Sequence, residues 1–337
     1  MMAPFKIGVL DQSPVRSGGT EQDAVAETIQ LAQACEEWGY HRYWLAEHHG
    51  TDGFAGSAPE IMIPRVADAT SRIRVGSGGV MLSHYSPLKV AETFRLLEVM
   101  FPGRIDLGIG RAPGSDQLTA AALAYGSQIG IEYFPTKIAD MIAFLTDQIP
   151  PTEVFARVRA TPRSSTAPDV WLLGSSGGSA TYAAQFGLPL SFAHFIAPGG
   201  GADVIRAYRA AFKPSELYPE PRVNLCVFVI CAERKEEALR LAKSRDLWRI
   251  RLEQGELGPY PSIEEAEAYE YSEAEQAGIE RTRGRTVIGT PDQVRPALET
   301  LIETHGADEL IVLTITHNFA ARLRSYELIA EAFGLDG

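Results

Sequence analysis

Residues Trp44-Leu45-Ala46-Glu47-His48-His49-Gly50 place one carboxylate and two imidazoles where an apolar, aromatic-rich stretch runs out into a loop. That stretch, His41 to Ala46, is predicted as a strand. Side chains alternate across a strand, so Trp44, Ala46 and His48 share one face while Leu45, Glu47 and His49 share the other. Adjacent histidines therefore cannot both turn inward. One imidazole at the C-terminal end of a strand suits proton transfer or polarisation of a bound cofactor. Two histidines that merely cap the strand by hydrogen bonds are the alternative.

A second chemistry is suggested by Gly174-Ser175-Ser176-Gly177-Gly178-Ser179. Glycines let backbone N–H groups approach a phosphate, serines add hydroxyl donors, and a helix predicted from Ser179 to Phe186 offers its positive N-terminal end. A plain N-cap on a flexible loop is the bland reading. Arg111 follows another predicted strand, and its guanidinium has the fork geometry to pair with the same phosphate. Gly78-Gly79 either lets a flat aromatic ring lie against backbone or marks a bulge. Gly108-Ile109-Gly110 is no dinucleotide fingerprint, because the next glycine is Gly114 and Pro113 interrupts the turn. Gly174 to Gly178 fits the GxSxG spacing, but its Ser176 sits in a phosphate-type glycine loop rather than a nucleophile elbow, and no HxxxH or CxxC is present, so a serine hydrolase and a metal centre are both disfavoured. His41, His305 and His317 read as surface or structural residues.

Strands alternating with helices must position these groups. Apolar strands are expected at Phe5–Leu10, His41–Ala46, Ile73–Met81, Arg104–Gly110, Val170–Gly174, Leu188–Ala193, Val223–Cys231 and Glu309–Thr314. Helical periodicity lies between them, as at Gln22–Trp38, which Gly39 terminates. About eight repeats over 337 residues favour a closed (β/α)8 TIM barrel in one domain, 1–337, over an open sheet. Active sites of such barrels lie at the C-terminal strand ends, where Asp11-Gln12-Ser13, Glu47-His48-His49, Gly78-Gly79, Gly110-Arg111, Gly174–Ser179 and His194 all fall. Two segments break the rhythm. Residues 152–168 read as a surface loop. Residues 254–285, acidic and without apolar periodicity, read as a structureless insertion that acts as a mobile lid over the mouth.

The net charge of −12 leaves no basic stripe for nucleic acid. Cys35, Cys226 and Cys231 sit in apolar or helical contexts and read as core residues of a reducing compartment. The N-terminus lacks a signal-peptide core and no apolar run reaches membrane-spanning length, so a cytoplasmic protein without membrane contact is expected.

Taken together, several motifs resemble the luciferase-like flavin monooxygenases, the family of the bacterial luciferase subunits. They are Trp44–His49, Val75–Leu82, Ser86–Glu92, Arg104–Arg111, Val170–Pro189 and Ile288–Pro291, and the likeness spans nearly the whole chain. It implies a barrel that binds reduced FMN at its mouth. It also implies reaction with O2 through a C4a-hydroperoxyflavin, and oxidation of a small apolar organic substrate. By the same resemblance His48 is catalytic. Arg111 and the loop of Ser175, Ser176, Gly177, Gly178 and Ser179 hold the phosphate, Gly78-Gly79 is a cis peptide beneath the flavin, and Gly110 and His194 contact the cofactor. A separate flavin reductase and a homodimer are also implied. The light-emitting subunit differs at Ser175, Gly110 and His194, which points away from light emission. The rivals are F420-dependent hydride transfer on the same barrel and a noncatalytic FMN-binding protein.

Overall fold

The computed structural model describes residues 5–111, 116–125, 130–196 and 199–336. The strands are β1 (Lys6–Asp11), β2 (Arg42–Leu45), β3 (Arg74–Met81), β4 (Ile105–Gly110), β5 (Asp169–Gly174), β6 (Leu190–Ala193), β7 (Val223–Cys231), β8 (Thr286–Gly289) and β9 (Glu309–Leu313). The first helices are α1 (Glu21–Glu37), α2 (Pro59–Ala69), α3 (Pro87–Met100), α4 (Gln117–Ala124), α5 (Phe134–Leu145) and α6 (Gly177–Phe186). They are followed by α7 (Gly201–Ala211), α8 (Lys235–Glu253), α9 (Ile263–Ala268), α10 (Glu273–Arg283), α11 (Pro291–His305) and α12 (Phe319–Phe333).

All strand pairings are parallel, in the order β1-β2-β3-β4-β5-β6-β7-β9, and β9 returns to β1 to close an eight-stranded barrel. The short β8 is an addition that the sequence reading did not contain. It pairs with Phe228–Cys231, beyond the point where β6 leaves β7 at Cys226.

Alternation along the strands separates two buried layers. Ile7, Val9, Tyr43, Leu45, Leu310 and Val312 face the surrounding helices. Leu10, Trp44, Ala46, Trp171, Ile311 and Leu313 fill the barrel interior. The interior is stacked along the barrel axis. At the N-terminal end a charged layer joins Arg42 and Arg74 to Asp106, with Asp169, Arg222 and Glu309 around it. Above it Trp44 meets Trp171 edge-on at 5.7 Å, and the Trp44 indole donates to Asp106 at 2.8 Å. Gly8 is required where Arg42 crosses the interior, since a Cβ there would overlap the arginine side chain. The floor of the mouth begins above this double layer.

Helix ends follow their local chemistry. Thr20 and Asp23 form a capping box at the start of α1, and Gly39 turns the chain at φ +84° just past its end. Cys35, Cys226 and Cys231 are buried.

The expectation of a structureless insertion over 254–285 is corrected. The segment carries α9 and α10, both started by serine caps at Ser262 and Ser272. Its glutamates are used: Glu264 and Glu267 pair with Arg240 and Lys243, and Glu265 pairs with Arg251, all on α8. Backbone bonds from Tyr260 N to Val15 O and from Ser17 N to Tyr260 O, both 2.8 Å, sew it to the loop after β1. The acidic composition hid this order, because its apolar anchors are few: Tyr260, Ile263 and Ala266. Among the described residues, no helix is long and apolar enough to cross a membrane.

Candidate active site

The C-terminal strand ends surround a cavity of about 400 Å³. Its floor is apolar: Leu10, Trp44, Ala46, Leu173 and Cys226 come from β1, the β2 segment, β5 and β7. Gly78, Gly79 and Gly110 supply bare backbone to the wall. The Gly78–Gly79 peptide is cis, and the β3–β4 register slips between Ser77 and Val80, so bulge and flat backbone occur together. A Cβ on Gly110 would meet nothing within 4 Å, so any larger residue there projects into open space.

One end of the cavity is built for an anion. Arg111, Ser175, Ser176 and Ser179 line it. Ser176 is the N-cap of α6 yet makes no side-chain cap bond, which leaves the hydroxyl and the first-turn N–H groups without the usual local partner. Gly177 and Gly178 form that first turn rather than lining the cavity, and a Cβ on Gly178 would lie 3.6 Å from Arg111 Nη1. The Arg111 guanidinium donates to no group among the described residues. A cation and a helix N-terminus thus converge at this part of the cavity.

The opposite end is formed by His48. His48 lines the cavity with Trp44, Ala46 and Glu47, and strand parity does not sort this segment, because β2 ends at Leu45 and His49 lines the adjoining chamber together with His48. Glu47 accepts from Tyr85 Oη at 2.7 Å and Met81 N at 2.9 Å, and meets His49 Nε2 at 2.8 Å. The second histidine is therefore held by Glu47, and the bond to Met81 N ties the β2 end to the β3 end. His48 is fixed from outside: its backbone N donates to Gly56 O at 2.8 Å, and its ring lies 4.4 Å from that of Phe54. Its Nδ1 is buried without a partner. Burial, with a smaller push from His49, lowers the His48 pKa from 6.5 to about 4. The imidazole is neutral at pH 7.

That depression has a measurable consequence. The unfolded chain takes up this proton near pH 6.5, the folded chain only near pH 4, so stability is full above 6.5 and declines as pH falls towards 4. For a shift of this size the loss reaches up to about 3 kcal/mol. In urea unfolding, the stability difference between wild type and His48→Gln should shift by this amount between neutral pH and about pH 4. A pH-independent difference would show that the ring is solvated.

Other expected positions lie elsewhere. His194 does not line the cavity: its ring meets His305 edge-on at 5.3 Å. Asp11, at the end of β1, faces the helices, where it pairs with Arg322 at 2.7 Å and accepts from Tyr43 Oη and Ser13 N. Gln12 beside it does line the cavity. A second chamber of about 340 Å³ adjoins the first and shares Gln12, His48 and Phe195 with it. His49 and Gly50 also line it, and most of its remaining wall, including Phe54, Trp248, Leu257 and Tyr260, comes from loops, α8 and the insertion.

Comparison with known proteins agrees with this geometry. A family model described as luciferase-like monooxygenase matches residues 5–309. N-acetyl-S-alkylcysteine monooxygenase of Bacillus subtilis (strain 168) is 38% identical over 330 residues, covering 97% of this chain and 98% of that protein. The crystal structure of apo-MsnO8 matches with a TM-score of 0.90 at 41% identity, covering 98% of each chain. Two more distant structures share the fold alone. The oxygenating constituent of 3,6-diketocamphane monooxygenase from Pseudomonas putida, in complex with FMN, has a TM-score of 0.69 at 19% identity, covering 98% of this chain and 97% of that one. An F420-dependent secondary alcohol dehydrogenase has 0.68 at 13%, covering 98% and 99%. From the closed barrel, the mouth built on its strand ends and a family match over nearly its whole length, this chain belongs to the luciferase-like monooxygenase family.

Proposed function

We propose that this enzyme binds reduced FMN at the barrel mouth and uses O2 to oxygenate a small organic substrate. The observation that carries the proposal is the Arg111 guanidinium, without a partner among the described residues, beside the start of α6, in a cavity whose floor is apolar and which also holds an imidazole. A phosphate monoester on a flat, largely apolar ring system matches that distribution. Arg111, the serine hydroxyls of 175, 176 and 179 and the N–H groups of Gly177 and Gly178 would hold the phosphate. The bare backbone of Gly78-Gly79 and the Trp44–Ala46 floor would receive the ring. Gly110 leaves the room that a side chain would fill.

Reduced flavin, when bound, supplies the electrons that activate O2. The protein's part is to orient the reactants, exclude water with its apolar walls, and hold or move a proton at the imidazole of His48. Substrate enters the second chamber, so that His48 stands between substrate and cofactor. The insertion, through Leu257 and Tyr260, covers that chamber. A separate flavin reductase is proposed as the source of reduced FMN. The exposed Ile61, Leu96, Val99 and Met100 on α2 and α3 are proposed as contacts to a second copy.

FMN titration tests the cradle. Charge-assisted hydrogen bonds contribute about 1.5–3 kcal/mol, so Arg111→Ala should weaken FMN binding by roughly 10- to 100-fold. Riboflavin, which lacks the phosphate, should bind wild type and variant alike. Equal FMN affinity in both proteins removes Arg111 from the phosphate site. FMN preference over F420, together with oxygen-dependent turnover, separates this reading from deazaflavin hydride transfer and from simple FMN storage.

A further inference from the structure

Helix α8 carries Arg245, Trp248, Arg249 and Leu252 at helical spacing, and this face forms one wall of the second chamber. Arg245 is 6% exposed. Among the described residues its guanidinium makes no ion pair or hydrogen bond, and its Cζ lies 3.7 Å from the ring centre of Phe228. The adjacent carboxylate is already taken, since Asp246 pairs with Arg283 at 2.6 Å. Arg249 adds a second positive charge beside it. Its Nε is buried without a partner, and its one carboxylate contact is Glu253 at 3.8 Å. Asp116 stands on the chamber's rim, where its carboxylate caps α4 through Leu118 N and Thr119 N. Burial lowers the Arg245 pKa to about 10, so the group remains charged at neutral pH.

A buried guanidinium with no counter-charge is costly, and an anion delivered by a ligand offsets that cost. The same two arginines repel a cationic ligand. The rest of the wall is aromatic. Trp248 stacks on Tyr260 at 4.6 Å and 9°, and Phe54 meets Trp248 at 5.4 Å while packing against His48. The volume lies at the lower end of small-molecule sites. We propose that the substrate is an organic carboxylate: its carboxyl group pairs with Arg245, and its apolar body lies along the Phe54–Trp248–Tyr260 wall towards His48. This deepens the monooxygenase reading above and rests on it for the word substrate, while the anion site itself stands on Arg245.

The test uses 3-phenylpropanoate and its uncharged analogue 3-phenylpropanamide as probes, with affinities measured by calorimetry on the full chain. Wild type should prefer the carboxylate by about 10- to 100-fold, the range of a charge-assisted bond. Arg245→Met, which keeps the volume, should abolish the preference, and Arg245→Lys should retain part of it because the charge survives without the fork. Thermal unfolding of each variant verifies that it is folded. FMN titration of the same proteins should show unchanged affinity, because Arg111 and α6 are untouched. Equal affinity for the two probes, failure of wild type to bind the carboxylate, or a preference that survives in Arg245→Met overturns the proposal. Failure of wild type to bind FMN overturns the flavin reading instead and leaves a carboxylate preference to be read on its own.

Discussion

Asp106→Asn is expected to destabilise the fold by about 3–5 kcal/mol, the range for breaking a buried ion pair on one side. Asp106 is fully buried at the closed end of the barrel. It accepts from Arg42 Nη1 at 2.5 Å, Trp44 Nε1 at 2.8 Å and Arg74 Nε at 2.8 Å. Asparagine keeps the shape but removes the charge and turns one acceptor into a donor. Burial works against the Arg42 charge, and Asp106 is the first of the carboxylates that outweigh it and raise its pKa. Glu309, which accepts from Arg42 Nη2 at 3.3 Å, and Asp169, 3.9 Å from Nη1, remain but do not replace the acceptor of Nη1. Urea unfolding should therefore show a lower midpoint with an unchanged slope. The paired replacement Arg42→Met with Asp106→Leu should recover only part of the loss, because it removes the buried guanidinium but leaves Arg74 and the Trp44 indole N–H without their shared acceptor. A cost below about 1 kcal/mol for Asp106→Asn would mean that water enters the closed end and solvates the guanidinium.

This charged layer also shows what a linear reading misses. Arg42, Asp106 and Glu309 stand at the starts of three strands and lie far apart in the chain, so their pairing exists only once the barrel has closed. The strands themselves were legible, because each is a short apolar run bounded by glycine or polar residues. The mouth was legible for a related reason: parallel strands bring all their C-terminal ends to one rim, so motifs such as Glu47-His48-His49 and Gly174–Ser179 meet without any knowledge of pairing. Parity did not separate His48 from His49, since β2 ends at Leu45 and both line the second chamber; the bond from His49 to Glu47 distinguishes them. Parity alone did not place His194, which follows the last residue of β6 in a turn where alternation has ended. Arg245 was invisible for a different reason. It is one of many basic residues on a strongly charged helix, and only the structure shows that Arg240, Lys243 and Arg251 find glutamates while Arg245 finds none. The insertion was misread because capping serines and cross-helix ion pairs, rather than apolar periodicity, organise it.

His48→Ala is expected to change the rate at which protein-bound reduced FMN is reoxidised by O2 by about 10²- to 10⁴-fold, the range for a positioned proton-transfer group. Three features of the site lead to this expectation. His48 alone among the titratable side chains borders both chambers; Glu47 borders only the first, and its oxygens are already engaged by Tyr85, Met81 and His49. Its ring is neutral at pH 7, with a pKa of about 4, so one nitrogen can donate while the other accepts. Phe54 on one side and the Gly56 carbonyl on its backbone N hold it in place before any ligand arrives. Removing the ring should leave the anion cradle intact, since Arg111 and α6 stand at the other end of the cavity, and FMN affinity should change by less than about threefold. His48→Gln should restore hydrogen bonding but no proton transfer, which separates a positioning role from an acid–base one. Rapid mixing of reduced FMN and protein with oxygenated buffer, followed through the visible absorbance of oxidised flavin, reads all three proteins. Superimposable traces for wild type and His48→Ala, with FMN bound in both, would remove the imidazole from the chemistry and leave it as a wall between two chambers.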